Sequence, residues 1–339
     1  MTDRKKRASG RLRLADVAAL AGVSTMTASR ALRDTGQVSP ELSARIKLAA
    51  ERLNYIPDQA AQALASSKSA AVGVLIPALT NTVFADLLEA AHKILFPEGI
   101  QLLIGNTHYS PEQEERLMRN FLSYRPSGLI VTGFDQSSET RKLIKASGIP
   151  CVHVMEISDD DSVYCVGLSH TDAAEEVVNY LLARNRGRIA FIGAQMDPRT
   201  LQRHKGYQTA LIKHGSLDLA LECHVTTPTS VGLGGELFSD MMARHPEIDA
   251  VFFSNDDLAQ GAMFEALRLG IRIPDDVAII GFNDIEQSAH SVPKMTTVHT
   301  PRTEIGTQAA RMLLQLIQGK TVVPRSIDVG FEIIVRESA

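Results

Sequence analysis

The sequence predicts an α/β protein in two unlike parts, a small all-α head and a larger body of two doubly wound parallel-sheet subdomains. Three observations predict it. Helix stop and start signals crowd the first 57 residues, short apolar runs alternate with amphipathic segments from Ala71 onward, and charge divides between the same two parts. With 339 residues, 44% hydrophobic and only 5% aromatic, the chain can bury a sizeable core, and at ~150 residues per domain it has room for two domains or three.

The overall balance, 35 Lys plus Arg against 39 Asp plus Glu, gives a net charge of -4 that taken alone argues against a nucleic-acid binder. The average conceals a split. Residues 1–68 carry +6 and the remainder -10, the asymmetry expected when one end alone meets a polyanion. Cys151, Cys165 and Cys223 are far apart and odd in number, so neither a disulfide framework nor a Cys-rich metal site is expected. No run approaches the ~18 to 20 apolar residues of a membrane span, and Arg4–Arg7 lead into polar residues instead of an apolar signal segment. A soluble, cytoplasmic chain with no membrane partner, no cofactor and no metal is expected.

In the head, Leu14, Val17, Ala18 and Ala21 form a helical stripe stopped by Gly22, a residue that tolerates the left-handed C′ conformation. Ser24 can cap a second helix from Thr25 to about Leu32, and the pair fits a helix-turn-helix whose second helix enters the major groove. Ser39 and Pro40 supply the N-cap and first residue of a third helix to about Leu53, with Leu42, Ile46, Ala49, Ala50 and Leu53 on its apolar face. Spacing alone leaves a plain helical bundle as an equal reading.

The ordered motifs ADVAALAGVS, Thr27–Ala28–Ser29–Arg30, Val38–Ser39 and LNYIP at Leu53–Pro57 resemble the DNA-binding head of the lactose-repressor (LacI/GalR) family. The resemblance implies that Thr25 and Met26 open the recognition helix and face base edges. Thr27, Ser29 and Arg30 would hold phosphates or a nearby base, and Arg33 could reach either. The basic tail, 1–13, suits non-specific phosphate contact. Residues 58–69 begin with DQAAQALA, too short for an isolated helix, which leaves a plain linker or a helix formed only with a partner. In the family this segment is a hinge helix, paired with its dimer mate in the minor groove, and Leu64 matches the leucine that wedges between base pairs.

The body alternates AVGVLIP (71–77), QLLIG (101–105), GLIVTG (128–133), IPCVHVM (149–155), RIAFIG (188–193), ECHV (222–225), DAVFFS (249–254) and VAIIGF (277–282) with helical patterns. Strict alternation means parallel βαβ units, four strands in each half. Ligands of such sheets sit beyond the carboxyl ends of the strands. There lie Asn81, Thr82 and Phe84; Asn106; Thr132; His153 and Glu156; Arg199 and Arg203; Asn255, Asp256 and Asp257; and Asn283 with Asp284. Asn and Asp also cap helices and make turns, the role given to Asp256, Asp257 and Asp284, while His153 reads as a packed histidine. So many polar groups aimed at one cleft suit a polyhydroxylated ligand.

From Ala70 on, PALTNTVFADLLEAA, RTLQRHKGYQTAL, FFSNDDLAQGAM and IPDDVAIIGFND resemble the family's periplasmic-binding-protein-like effector domain. That implies Arg203 as the effector clamp and Asn255 as an amide contact. Asn283 departs from the family's frequent Asp in GF-x-D; an amide there removes a negative charge and favours an anion. Arg199 adds a second positive charge one turn earlier, and two arginines can grip a carboxylate or phosphate. TNTVFA at Thr80–Ala85 and HTPRTEIG at His299–Gly306 further resemble the gluconate-repressor branch. The expected effector set is therefore Thr82, Phe84, Arg199, Arg203, Asn255 and Asn283, binding a sugar acid such as gluconate or 2-ketogluconate. A neutral sugar stands as the alternative.

The resemblance divides the chain into a helix-turn-helix domain over 1–57, a hinge over 58–69 and an effector-binding and dimerisation domain over 70–339. Its subdomains are expected at roughly 70–160 plus 295–322 and 161–294 plus 323–339. The expected protein is a transcriptional repressor binding a near-palindromic double-stranded operator as a homodimer. With no heptad tail after VGFEIIV (329–335), a C-terminal tetramerisation helix is not expected. A solute receptor would share the body but have no use for the head. An enzyme is not expected either, since Gly-x-Gly-x-x-Gly, Walker A, Gly-x-Ser-x-Gly and His-Glu-x-x-His are all absent.

Overall fold

The computed structural model describes residues 12–32, 36–56 and 69–339. Arg33, Leu64 and all but the last residue of the expected hinge lie outside the described residues, as does most of the basic tail. Contacts separate the chain into two units, Met1–Ser69 and Ala70–Ala339.

In the first unit, α1 (Leu14–Ala21) ends because Gly22 adopts φ 65° and turns its N–H back onto the carbonyls of Ala18 and Ala19. Helix α2 (Thr25–Leu32) starts on Ser24, whose hydroxyl accepts the Thr27 N–H at 3.1 Å. Helix α3 (Pro40–Arg52) starts on Ser39, whose hydroxyl accepts the Leu42 N–H at 3.4 Å. Small residues let three short helices share one core: Val17, Ala18, Ala21, Ala28, Ala31, Ile46, Ala49 and Ala50 are buried, with Leu42 and Leu53 packed against them.

The body has two six-stranded sheets. Its strands in chain order are β1 (Ala71–Ile76), β2 (Gln101–Asn106), β3 (Gly128–Thr132), β4 (Cys151–Glu156), β5 (Tyr164–Leu168), β6 (Ile189–Gly193), β7 (Glu222–His224), β8 (Ala250–Phe253), β9 (Ala278–Asn283), β10 (Thr296–His299), β11 (Ser326–Asp328) and β12 (Glu332–Ile334). The helices between them are α4 (Thr82–Leu95), α5 (Pro111–Ser123), α6 (Ser138–Ser147), α7 (His170–Leu182), α8 (Pro198–His214), α9 (Val231–Arg244), α10 (Asp256–Leu269) and α11 (Arg302–Ile317). The first sheet runs β11-β5-β4-β3-β1-β2 and the second β12-β10-β9-β8-β6-β7. All pairs are parallel except β12 with β10. Helices cover both faces, so central strands such as β1 are buried at every position and read as unbroken apolar runs.

The eight apolar runs form strands, but each sheet holds six. Strand β5 pairs with β4, so the chain first leaves the first sheet after Leu168 and not near 160. Strand β10 pairs with β9, so 296–299 belong to the second sheet. The C-terminal stretch is divided: β11 joins the first sheet beside β5, and β12 joins the second beside β10. Of these strands, β10 escapes a hydropathy reading because it is built largely on Thr296 and Thr297, both fully buried. The three-residue strands, for their part, are defined by pairing with neighbours and carry no pattern of their own. The cysteines are free, and among the described residues no helix is long and apolar enough to cross a membrane.

Candidate DNA-reading helix and effector cleft

Helix α2 divides its residues by face. Ala28 and Ala31 are buried in the head core, while Thr25, Met26 and Arg30 are exposed. Met26, with 62% of its surface accessible, is an apolar side chain presented to solvent at the helix start, where a recognition helix meets base edges. Thr27 is half-buried and shares a 2.9 Å hydrogen bond with the Ser24 hydroxyl, so it belongs to the capping turn as well as to the surface. Ser29 is half-buried beside it.

In the body, strand ends from both sheets converge on a cleft. A cavity of about 450 Å³ is lined by Pro77, Asn81, His108, Tyr109, Gln195, Thr229 and Asp257, and a smaller one beside it by Tyr109, Thr132, Asp135 and Arg199. The backbone is strained at this cleft: His108, Tyr109 and Gln195, which line it, all have positive φ without being glycine. Such outliers cluster where surrounding structure holds side chains in place for function.

Helix α8 carries both arginines, Arg199 lining the smaller cavity and Arg203 buried one turn further on. Gly206 allows the helix to lie close on α7, since a Cβ there would stand 2.1 Å from the Thr171 carbonyl oxygen. The approach sets Arg203, buried, against His170 at the start of α7. Its Nε donates to His170 Nδ1 at 3.2 Å and its Nη1 to the Ser254 carbonyl at 2.5 Å, with the guanidinium 3.8 Å above the Phe282 ring. His170 Nε2 faces the Met155 carbonyl at 2.9 Å. A carbonyl only accepts, so Nε2 carries the proton and Nδ1 offers its lone pair to Arg203. Burial, with Arg203 adding, holds His170 well below the ordinary histidine range, so this neutral tautomer is the one at pH 7.

The two arginines are in different electrostatic states. Arg199 lies 3.0 Å from Glu156, 3.0 Å from Asp197 and 3.5 Å from Asp135. Burial opposes its charge, but Asp197, Asp135 and Glu156 together raise its pKa. The expected pair of arginines available to an anion is corrected accordingly: here Arg199 is already balanced by carboxylates. Burial brings Arg203 down to about 10, with Asp197 pulling the other way, so it remains a cation at neutral pH. Among the described residues no carboxylate lies within ion-pair distance of it.

Glu156 ties the subdomains together. It ends β4 of the first sheet, and both donors that hold it come from α8: Arg199 at 3.0 Å and Gln202 at 2.7 Å. Close by, Glu114 on α5 is pushed up to about 7, chiefly by burial with Asp135 adding. Burial likewise pushes the Tyr109 hydroxyl up to about 12, keeping it a neutral donor.

The remaining expected residues fall into three groups. Thr82 is exposed on the first turn of α4, whereas Phe84 is 4% exposed and packs into the core beneath it, the physical consequence of an apolar ring two residues further along an amphipathic helix. Asn255 caps α10, accepting the Leu258 N–H at 3.1 Å, and its amide donates to the Thr229 hydroxyl at 3.0 Å. Asn283 is buried at the end of β9 with φ 120°, and its carbonyl accepts from Arg302. Asp256 is buried and accepts from Thr297, Ser288 and the Ile285 N–H, while Asp284 holds His299 and Arg336; both serve the structure. Asp257, expected there too, instead lines the cavity. His153 stacks on Phe134 at 4.5 Å. Tyr109, Asp135, Gln195 and Asp197 were not foreseen, although each lies two to four residues beyond a strand end and the strand-end rule reaches them once the loops are followed.

Two family models match, "Bacterial regulatory proteins, lacI family" over residues 13–58 and "Periplasmic binding proteins and sugar binding domain of LacI family" over 69–336. The chain belongs to the LacI family. It is 49% identical over 336 residues to the HTH-type transcriptional regulator GntR of Pseudomonas aeruginosa, covering 99% of this chain and 98% of that one. It is 37% identical to the regulator of the same name from Escherichia coli K12, covering 94% and 96%. A solved LacI-family transcriptional regulator from Silicibacter pomeroyi superposes with a TM-score of 0.89 at 34% identity, covering 96% and 99%. This LacI-family member is a transcriptional regulator with a helix-turn-helix head and a periplasmic-binding-protein-like body, and not an enzyme.

Proposed function

We propose that this regulator is a homodimeric, cytoplasmic repressor of sugar-acid utilisation genes, released from a near-palindromic operator when gluconate or 2-ketogluconate enters the body cleft. In the head, Thr25 and Met26 would read base edges while Thr27, Ser29 and Arg30 hold phosphates or a base. Arg33 and Leu64 keep the roles the family resemblance gives them. In the cleft, Arg203 meets the acid group, with Thr82, Asn255 and Asn283 at hydroxyls. Phe84 serves through packing, and Arg199 responds through its carboxylate partners.

The observation that carries the acid reading is Arg203: a buried guanidinium whose described partners are a neutral imidazole, a carbonyl and an aromatic face. A carboxylate is the complement such a cation lacks. The GntR name shared by two relatives agrees with the resemblance to the gluconate-repressor branch. A competing anion near α8 would also weaken the Arg199 and Gln202 grip on Glu156, the link by which one subdomain feels the other. A ligand shifts such an equilibrium only by its differential affinity for the two states.

One observation favours a neutral sugar instead. Around Arg199, one turn before Arg203, stand three carboxylates, Asp135, Glu156 and Asp197. Calorimetry with gluconate, 2-ketogluconate and glucose decides between the readings, with an operator gel shift alongside. The acid reading expects the acids to bind and to release the operator; glucose binding alone overturns it, and acids that tighten operator binding overturn the sign.

A further inference from the structure

Outside the cleft, two imidazoles and a carboxylate meet at the edge of the second sheet. Glu222 and His224 stand two apart on β7, so their side chains share one face of the sheet. Helix α8 covers that face and contributes His204 and, one turn on, Gln208. His204 Nε2 lies 2.9 Å from Glu222 Oε2, and His224 Nε2 lies 3.9 Å from the same oxygen. Ligand atoms of all three fall within 4.8 Å of one another. In a tetrahedral site with bonds of ~2.0 to 2.1 Å, neighbouring ligands stand about 3.3 Å apart, so small side-chain rotations complete the set.

The surroundings fit a cation site better than a simple hydrogen-bond hub. Gln208 donates to the other carboxylate oxygen, Glu222 Oε1, at 2.9 Å, which orients Oε2 toward the histidines in the manner of an outer-shell partner. Both imidazoles rest on the Phe191 ring, at centroid distances of 5.3 and 5.9 Å, and meet each other edge-on at 4.2 Å. The wall behind the group is thus apolar, while His224, with 31% of its side chain accessible, leaves one side open for a fourth ligand such as water. Two nitrogens and one oxygen suit zinc and its neighbours and are too few oxygens for magnesium or calcium.

The geometry points to a divalent transition-metal site, zinc foremost, formed by His204, Glu222 and His224. No Cys-x-x-Cys or His-x-x-x-His spacing announces it, because the ligands come from a helix and from an edge strand eighteen residues on. Its occupancy staples β7 to α8, the helix whose first two turns carry Arg199 and Arg203.

The test uses the full-length protein stripped with a chelator and titrated with Zn²⁺ by calorimetry, and with Co²⁺ by visible absorption. One Zn²⁺ per chain, a higher melting temperature with metal, and an intense Co²⁺ band of low coordination number are expected. His224→Gln, at a partly accessible position, should keep the metal-free melting temperature while losing the Co²⁺ band and more than about tenfold in Zn²⁺ affinity. His204→Gln should lose the band as well. A wild-type protein without that band, or one whose band and Zn²⁺ affinity survive both substitutions, overturns the site.

Discussion

The head and the cleft solve the same problem, presenting polar groups to a ligand, in opposite ways. In the head, structure and reading fall largely on different residues of one helix: Ala28 and Ala31 are buried while Met26 and Arg30 face outward, with Thr27 of the capping turn shared between the two. In the cleft they are carried by the same residues. Arg203 is both the candidate clamp and the hydrogen-bond donor that satisfies His170 and Ser254, and Asn255 both lines the strand end and caps α10. Function in the head should therefore be separable from stability, and function in the cleft should not.

The largest test of that contrast is Arg203→Ala. It leaves the His170 lone pair and the Ser254 carbonyl buried without a donor, at a cost of about 2 to 4 kcal/mol, and removes the cation proposed for the acid. Urea denaturation and calorimetry should report the two losses together, with effector affinity falling on the order of 100-fold. Unchanged stability would show that clamp and scaffold are distinct after all. Arg30→Ala is the matching change in the head. Operator affinity should fall by about 1 to 3 kcal/mol, with stability within about 0.5 kcal/mol of the parent, as expected for an exposed position; a head that unfolds would break the comparison from the other side.

A pH titration sharpens it further. His170 has its folded pKa depressed by burial and by Arg203, so the unfolded chain takes up a proton that the folded chain refuses. Stability from this group is present above the unfolded value of about 6.5 and is lost as pH falls below it, by about 1.4 kcal/mol per pH unit. Glu114 runs the other way. Its folded pKa is raised to about 7, so its contribution is present below the ordinary glutamate range and is lost as pH rises through 7. The comparison to make is wild type against His170→Gln: their stability difference should narrow steadily below pH 6.5. A difference independent of pH would mean that His170 titrates normally.

The sequence announced the two parts unequally, for the same physical reason. The head's elements are local: Gly22, Ser24 and Ser39 each fix a helix end within a few residues, and all three sit where their chemistry places them. Strands such as β1 and β3 are legible because burial on both faces forces apolar runs, whereas β10 rests on buried threonines and β11 and β12 are defined by partners far along the chain. The cleft follows the same division. Strand-end residues could be found one by one, but the sharing of Arg199 among three carboxylates on two subdomains is a property of the folded arrangement.

The smallest expected change in stability is also the most discriminating between effectors. Asn255→Asp keeps the cap, because an aspartate oxygen accepts the Leu258 N–H as well as the amide oxygen does. The neighbouring Thr229 hydroxyl, which accepts from the amide nitrogen and lies 3.1 Å from Asn255 Oδ1 as a donor, can donate to the carboxylate in the same way. Stability should stay within about 0.5 kcal/mol. The cleft, however, gains a negative charge at the position proposed to meet ligand hydroxyls. A neutral sugar can offer that carboxylate a hydroxyl donor and should keep or improve its affinity, while gluconate should lose about tenfold, since an added like charge costs on the order of 1 kcal/mol even when partly screened. Calorimetry of the two ligands against this one variant measures whether the cleft selects charge. Equal responses from acid and sugar would mean that Arg203 is spent on scaffolding, and that structure and recognition are as separable in the body as in the head.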